Sequence, residues 1–413
     1  MTDPQNESAA WTTSQTQPQN QAAWITGPRQ RPLTVDAAPY PKPGRHQLVI
    51  KNHAVAVNPV DWRVQDNGTF IQNYPNILGE DVAGEVVEVG EHSDRRFTKG
   101  DRVIAYPLGL PRDDPAQGGF QRYTLVEEVL TAPIPASLPF ERAVVLPLAV
   151  STAAAGLFQP EMLNLDLPSA PQTGAGTGKT RTILVWGAAS SVGSAAVQLA
   201  RLSSPDVRVV ATSSAKNFDF VKSLGATEVV DYKSPHVMAD VVAAVDRARG
   251  GGGGGVGEAT GARATVTNRG GGGAMGGGGP GGGGGARDVG VDGEPEGRGS
   301  FAGAFDAVGS SAEWMLIIQK LGGGRVVSTL TPSGDVPSGV EARSVFAATI
   351  ATKHAHIAGT LWREFIPRAL EEGKLQTKPE PFIVGEGLEK VQEGIDVQRR
   401  GVSAKKVVVK LTA

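Results

Sequence analysis

The chain has 413 residues, 40 basic and 42 acidic side chains and a formal net charge of −2. It is long enough for two domains with real cores, and its charge implies no general attraction to nucleic acid or acidic membranes. Cysteine is absent, which removes disulfides, thiolate nucleophiles and cysteine–zinc sites and fits a reducing compartment. The N-terminus shows no basic flank followed by an apolar run, and no stretch is expected to approach the ~18 apolar residues of a membrane span, so a soluble, cytoplasmic protein is predicted.

Residues 1–24 are rich in Gln, Asn, Ser and Thr, lack apolar periodicity, and predict a disordered tail. A first domain is predicted over residues 25–150. Short apolar runs at Gln47–Val57, Val82–Val89, Arg102–Ala105 and Gln121–Val126 lie there between Gly and Pro turns, the pattern of a β-rich barrel. Ser169–Thr180 looks like a phosphate loop at a glance. Thr173 stands at its first glycine, however, and a strand follows instead of a helix, so a linker is predicted.

Residues 151–345 predict a Rossmann-type, doubly wound parallel α/β sheet. Its start is Thr182–Arg201, TILVWGAASSVGSAAVQLAR, an apolar run that breaks at Gly187 and resumes as a small-residue helix. Gly187 permits a tight exit from the strand and Gly193 close packing of the helix. The amides around Ser190, Ser191 and Val192 open a helix whose positive end suits a pyrophosphate. Ala189 and Ser190 stand where glycines are common and the turn is one residue longer, so a plain glycine turn without nucleotide is the alternative. A second strand is expected at Val207–Thr212 and a helix through Phe218, Val221 and Leu224 to Gly225.

The sheet is interrupted by residues 250–300, which hold 25 of the 55 glycines and predict a disordered surface insertion after a helix at Val237–Arg249. The pattern resumes with a strand from Phe301 that ends in Gly309, a helix to Leu321, and a strand at Arg325–Thr329. Residues 346–413 predict helices at Phe365–Glu372 and Leu388–Gln398 and a strand at Lys406–Leu411, returning to the first domain.

The second strand carries no Asp or Glu at its end, where a carboxylate would hold the ribose of NAD and repel a 2′-phosphate. It ends in Ser213, Ser214, Ala215 and Lys216, hydroxyls and a cation that suit that phosphate and favour NADPH. A solvated lysine at a helix start is the alternative.

Five segments in order, AVNPVDW (Ala56–Trp62), LGEDVAGEVVEVG (Leu78–Gly90), FTKGDRV (Phe97–Val103), Leu184–Gly193 and GVSAKKVVVK (Gly401–Lys410), carry a resemblance. The chain resembles the medium-chain dehydrogenase/reductase superfamily, and within it the zinc-free quinone/enoyl reductase branch, especially fungal trans-acting enoyl reductases and their toxin-pathway relatives. The resemblance implies a GroES-like barrel beside the Rossmann domain. It implies that Asn58, Pro59, Val60 and Asp61 line the nicotinamide side of the cleft, a plain turn being the alternative. Leu148, Ser151 and Thr152 would lie at the domain junction, the first two toward substrate and Thr152 toward cofactor, with a hinge helix as the alternative. Asn217, Tyr232, Val402 and Ser403 join Ser190–Gly193, Ser213, Ser214 and Lys216 as implied cofactor contacts.

The positions that hold catalytic zinc in other members match Asn58, Glu80 and Leu148, of which leucine is no ligand and asparagine a poor one. The loop for a structural zinc has no counterpart. His46, His53, His92, His354 and His356 lack a ligand set, so no metal is expected. The implied activity is NADPH-dependent reduction of the C=C bond of an α,β-unsaturated carbonyl compound, with donors near Asn58 and Ser151–Thr152 meeting the enolate oxygen. The proton donor stays open among Tyr74, Tyr106, Tyr123, water and the cofactor's ribose hydroxyl. Alternatives are a quinone reductase and a non-catalytic NADPH-binding protein. A carrier-bound acyl substrate would bring a polyketide synthase as partner; neither nucleic acid nor membrane is expected.

Overall fold

The computed structural model describes residues 18–91, 96–168, 179–250, 299–310 and 312–411. His92, most of the predicted linker, and residues 251–298 of the glycine tract lie outside the described residues.

The first half forms strands β1 (Asn20–Ile25), β2 (Thr34–Ala38), β3 (Gln47–Ala56), β4 (Asn76–Ile77), β5 (Val82–Val89), β6 (Arg102–Ala105), β7 (Tyr123–Glu127) and β8 (Thr131–Pro133). β1 corrects the expected tail of residues 1–24. It pairs antiparallel with β2 from Asn20↔Ala38 to Trp24↔Thr34, and with β4, while Ala22, Ala23 and Ile25 are buried. The run AAWI is too short to stand out from its Gln-rich surroundings, and pairing from two sides gives it the partners a lone strand lacks. β3 pairs antiparallel with β5 and β7, β5 with β6, and β6 with β8. Their inward residues, Leu48, Ile50, Val55, Val82, Val86, Val103 and Val126 among them, fill one apolar core. The expected run at Gln121 begins two residues later, at Tyr123, because Gln121 is buried and spends its amide on the carbonyls of Pro115 and Gly118.

The second half forms β9 (Arg181–Trp186), β10 (Val207–Ser213), β11 (Glu228–Asp231), β12 (Ser300–Asp306), β13 (Gly324–Ser328) and β14 (Val340–Ser344). They make one parallel sheet in the order β11-β10-β9-β12-β13-β14. Alternate residues face opposite sides, as the strand period of two requires. Ile183, Val185, Val209, Ala211, Phe305 and Val327 meet the helices Pro147–Phe158 and Ser191–Ser203 on one face. Leu184, Val210, Ala304 and Val326 meet the helices Val237–Arg249 and Leu316–Lys320 on the other. The order reverses between β9 and β12, which opens a crevice at the carboxyl ends of those two strands. β14 was not foreseen: Val340-Glu-Ala-Arg-Ser344 alternates weakly and gains its place from pairing with β13.

Near the C-terminus, β15 (Glu380–Glu386) runs parallel to β16 (Lys405–Lys410), and β16 pairs antiparallel with β3. The chain thus returns to the first half and extends its sheet to seven strands. The run Phe140–Phe158 is long and apolar enough to cross a membrane, which corrects the expectation that none would be; 83% of its apolar window is buried inside the fold, as in a core helix.

Candidate active site

The turn after β9 is fixed before any ligand is considered. The Thr212 hydroxyl at the end of β10 accepts the Gly187 amide at 3.0 Å, and its carbonyl accepts the Ala188 amide at 2.9 Å. Gly187 takes φ +76°, a left-handed backbone that glycine adopts without strain. A Cβ on Gly193 would lie 2.4 Å from the Gly187 carbonyl oxygen and 2.7 Å from the Ala188 Cα, so the helix Ser191–Ser203 approaches the turn this closely only with glycine. Ser190 caps that helix, its Oγ accepting the Gly193 amide at 3.1 Å. The amides of Ser191 and Val192 are left at the helix start, where the helical ladder offers them no acceptor and the dipole favours an anion.

The carboxyl end of β10 gathers the other expected nucleotide contacts. The Asn217 amide donates to Ser214 Oγ at 3.2 Å and to Ser403 Oγ at 3.3 Å, and so ties the C-terminal segment to this sheet. The Tyr232 amide donates to the Ser213 carbonyl at 3.2 Å, while its ring is 45% exposed. Lys216 is exposed and enters no ion pair among the described residues; Val402 is half-buried beside Ser403. The structure brings these seven positions to one end of the sheet.

Across the crevice, the resemblance-derived positions fall in a buried polar network. Pro59 opens the helix Pro59–Asn67, and the Asp61 carboxylate reaches back to the Asn58 amide at 2.7 Å and to the Gly79 amide at 3.3 Å. Val60 packs on the barrel core. The Asn58 side chain turns inward, its Nδ2 donating to Asp81 Oδ2 at 2.7 Å and its Oδ1 accepting from Lys406 Nζ. Lys406 also pairs with Asp81 at 2.8 Å, both being almost fully buried. The Leu148 amide donates to the other oxygen of Asp81 at 2.6 Å and so locks the junction helix Pro147–Phe158 to the barrel. Asn58 therefore serves as a bracket whose carbonyl and amide are both engaged, rather than as a donor freely offered to an enolate. The Thr152 hydroxyl donates to the Leu148 carbonyl at 2.8 Å, whereas the Ser151 hydroxyl is buried with no hydrogen-bond partner among the described residues.

Three acids crowd this network around one cation. Burial pushes the Asp61 carboxyl up to about 7, against the lowering effect of its backbone bonds and Lys406. Burial, then the charges of Asp61 and Asp81, hold the Glu80 carboxyl well above the usual carboxylate range. Burial and the same acidic neighbours Glu80 and Asp81 push the Tyr106 hydroxyl up.

Asp81 and Lys406 were missed from the sequence, although two adjacent acids opening an apolar strand and a lysine at the inward position of another are visible signals. Asp306 was missed as well. Its carboxylate, at the end of β12, accepts from the amides of Val308, Gly309 and Ser310 at 3.1, 3.1 and 2.8 Å and from Ser328 Oγ at 3.1 Å, fixing the loop beside Gly187.

The histidines are accounted for separately. His46 lies 3.7 Å from Glu128, His53 stacks on Phe140, and His354 bonds Glu161 at 2.9 Å and meets His356 edge-on. Among the described residues no three His, Asp or Glu side chains are placed to hold a metal ion.

The alcohol dehydrogenase GroES-like domain family matches residues 44–136. The trans-enoyl reductase himH of Aspergillus japonicus is 38% identical over 95% of this chain and 98% of its own. The dehydrogenase pigH of Monascus ruber is 36% identical over 95% of this chain and 100% of its own. Among solved structures, an alcohol dehydrogenase superfamily protein from Novosphingobium aromaticivorans aligns with a TM-score of 0.67 at 21% identity, over 95% of this chain and all of that one, a likeness of fold. With the switch-point crevice, the glycine turn and relatives matched end to end, the chain belongs to the medium-chain dehydrogenase/reductase superfamily of oxidoreductases.

Proposed function

We propose that the protein is an NADPH-dependent, metal-free reductase of C=C bonds conjugated to a carbonyl group. The observation that carries this reading is the chemistry at Asn58, Glu80 and Leu148: an amide engaged by Asp81 and Lys406, a buried acid, and a residue that contributes only its backbone. That set offers no Lewis acid to an alkoxide, which alcohol oxidation in this superfamily requires. The name of himH, a trans-enoyl reductase, supports the same direction.

The residues present fit a dinucleotide. The Ser191 and Val192 amides would hold the pyrophosphate, Ser213, Ser214, Lys216 and Asn217 the 2′-phosphate, and Tyr232, Val402 and Ser403 the adenosine side. The bound cofactor supplies a hydride. Leu148 and Ser151 on the junction helix would face the substrate and Thr152 the cofactor, with the Ser151 hydroxyl the donor that no described group claims. A carrier-bound acyl chain presented by a polyketide synthase is one acceptor of this class, and the absence of cysteine supports a reducing, cytoplasmic setting.

The test is oxidation of NADPH and NADH against enones, quinones and acyl thioesters, with elemental analysis for zinc. Deuterium from C4-labelled NADPH is expected at the β-carbon of an enone. Label on a carbonyl carbon would identify a ketone reductase, turnover of quinones alone a quinone reductase, and turnover of nothing in the panel a nucleotide-binding protein.

A further inference from the structure

We propose that Glu80 is the acid that protonates the α-carbon of the substrate, a role that rests on the enoyl-reductase reading above. Glu80 stands between Gly79, whose amide is held by Asp61, and Asp81, which gathers Asn58, Lys406 and the Leu148 amide. The backbone on both sides is thereby fixed, and the side chain is placed where the helix Pro59–Asn67, β5, β16 and the junction helix converge.

Glu80 is only 5% exposed, yet no described residue gives its carboxyl a hydrogen bond or an ion pair. Buried acids normally have such a partner, and an ionised one without it is costly. The charged and titratable groups around it are Asp61 from the helix, Asp81 at the start of β5, Tyr106 just after β6, and Lys406 on β16. The one cation among them is already engaged by Asp81 and Asn58. Burial and then the charges of the two aspartates favour the protonated form of the Glu80 carboxyl. A neutral carboxylic acid, nearly buried and with no acceptor for its proton among the described residues, is equipped to give that proton to a carbanion.

The step balances. After a hydride has reached the β-carbon, the π electrons reside on the enolate. The Glu80 O–H bond breaks, a C–H bond forms at the α-carbon, and the enolate electrons restore the carbonyl. The carboxylate left behind takes a proton from water. The reduced product carries the hydride and this proton.

Infrared difference spectra of the cofactor-free protein, wild type minus Glu80→Gln, are expected to show a protonated carboxyl band at pH 7 that shifts in D2O. Turnover of an enone with NADPH in D2O should place deuterium on a single face of the α-carbon. Glu80→Gln should leave NADPH affinity unchanged, lower kcat by about a hundredfold, remove the fall of kcat at high pH, and spread the α-deuterium over both faces. Glu80→Asp should restore part of the rate. A missing carboxyl band, or a Glu80→Gln enzyme that keeps both the one-faced label and the high-pH fall, would overturn the proposal. If the wild type reduces no enone or acyl thioester, the enoyl-reductase reading itself falls and takes the acid role with it. A wild type that turns over beside an unaffected variant sinks the acid role alone.

Discussion

The two walls of the crevice solve opposite problems. On the barrel wall Asn58, Asp61, Asp81, Lys406 and the Leu148 amide bond one another and lie out of reach of solvent. On the nucleotide wall the Ser191 and Val192 amides and the Lys216 ammonium are left without described partners at the ends of the strands, and the Tyr232 ring is partly exposed. Buried charges must find partners within the protein, so the first wall is arranged in advance and does not depend on ligand. A helix start at the surface can leave donors open at little cost because water holds them until an anion arrives. Affinity for the cofactor should therefore be tunable on one wall, whereas changes on the other should be felt first as stability.

The largest effect expected from that contrast is at Lys406. Lys406→Ala removes the partner of a fully buried Asp81 and should cost about 3–5 kcal/mol of unfolding free energy in a denaturant melt. A loss below about 1 kcal/mol, the range of surface pairs, would mean that this network is hydrated rather than sealed.

The next effect is a pH dependence. The folded-state carboxyl of Asp61 is raised from 3.8 to about 7, so the folded protein binds this proton more tightly than the unfolded chain. The associated stability is fully present below pH ~4 and is lost as pH rises through 7, a change of about 2–4 kcal/mol. Glu80 acts in the same direction. Asp61→Asn should be less stable at pH 4–5 and should flatten the slope between pH 4 and 7. Unchanged slopes in denaturant titrations across that window would show that another group sets the pH response.

The same contrast explains what could be read from the residues alone. The parallel sheet was legible from β9 to β13 because a turn glycine, an apolar run and a helical face recur there in a fixed order. The turn and helix start at Ser190–Gly193 and the strand end at Ser213–Asn217 were legible as structure too, since they are local in sequence. The barrel network was not. Asp81 and Lys406 are 325 positions apart and meet only because β16 returns to pair with β3. β1 was hidden for the same reason: its partners Thr34–Ala38 and Asn76–Ile77 are supplied by other strands. Asn58 was recognised by position, but its side chain faces the network rather than the cleft because Lys406 and Asp81 hold its two ends.

On the nucleotide wall, Lys216→Ala should weaken NADPH by about 1.5–3 kcal/mol, the worth of a hydrogen bond to a charged group, and leave NADH nearly untouched. Melting should barely change, because the side chain is exposed and pairs with nothing described. Equal losses for both cofactors in a fluorescence titration would place the phosphate preference elsewhere, with Ser213, Ser214 and Asn217 the next residues to replace.

The smallest effect is expected from residues 251–298, which lie outside the described residues. Their flanks already meet: the Gly299 amide donates to the Arg249 carbonyl at 2.8 Å, and Arg249 Nε donates back to the Gly299 carbonyl at 2.9 Å. Ser300 continues directly into β12, its amide held by the Thr180 carbonyl at 2.9 Å. If the sheet is complete without the intervening glycines, replacing them by a linker of about 12 residues shortens a closed loop by two halvings and should raise stability by about 1 kcal/mol. NADPH affinity should stay unchanged, since the flanks lie at the amino end of β12 and the nucleotide contacts at the carboxyl ends of the strands. A shortened protein that unfolds or loses NADPH would show that residues 251–298 contribute to the nucleotide wall itself, and the division between a sealed wall and an open one would have to include them.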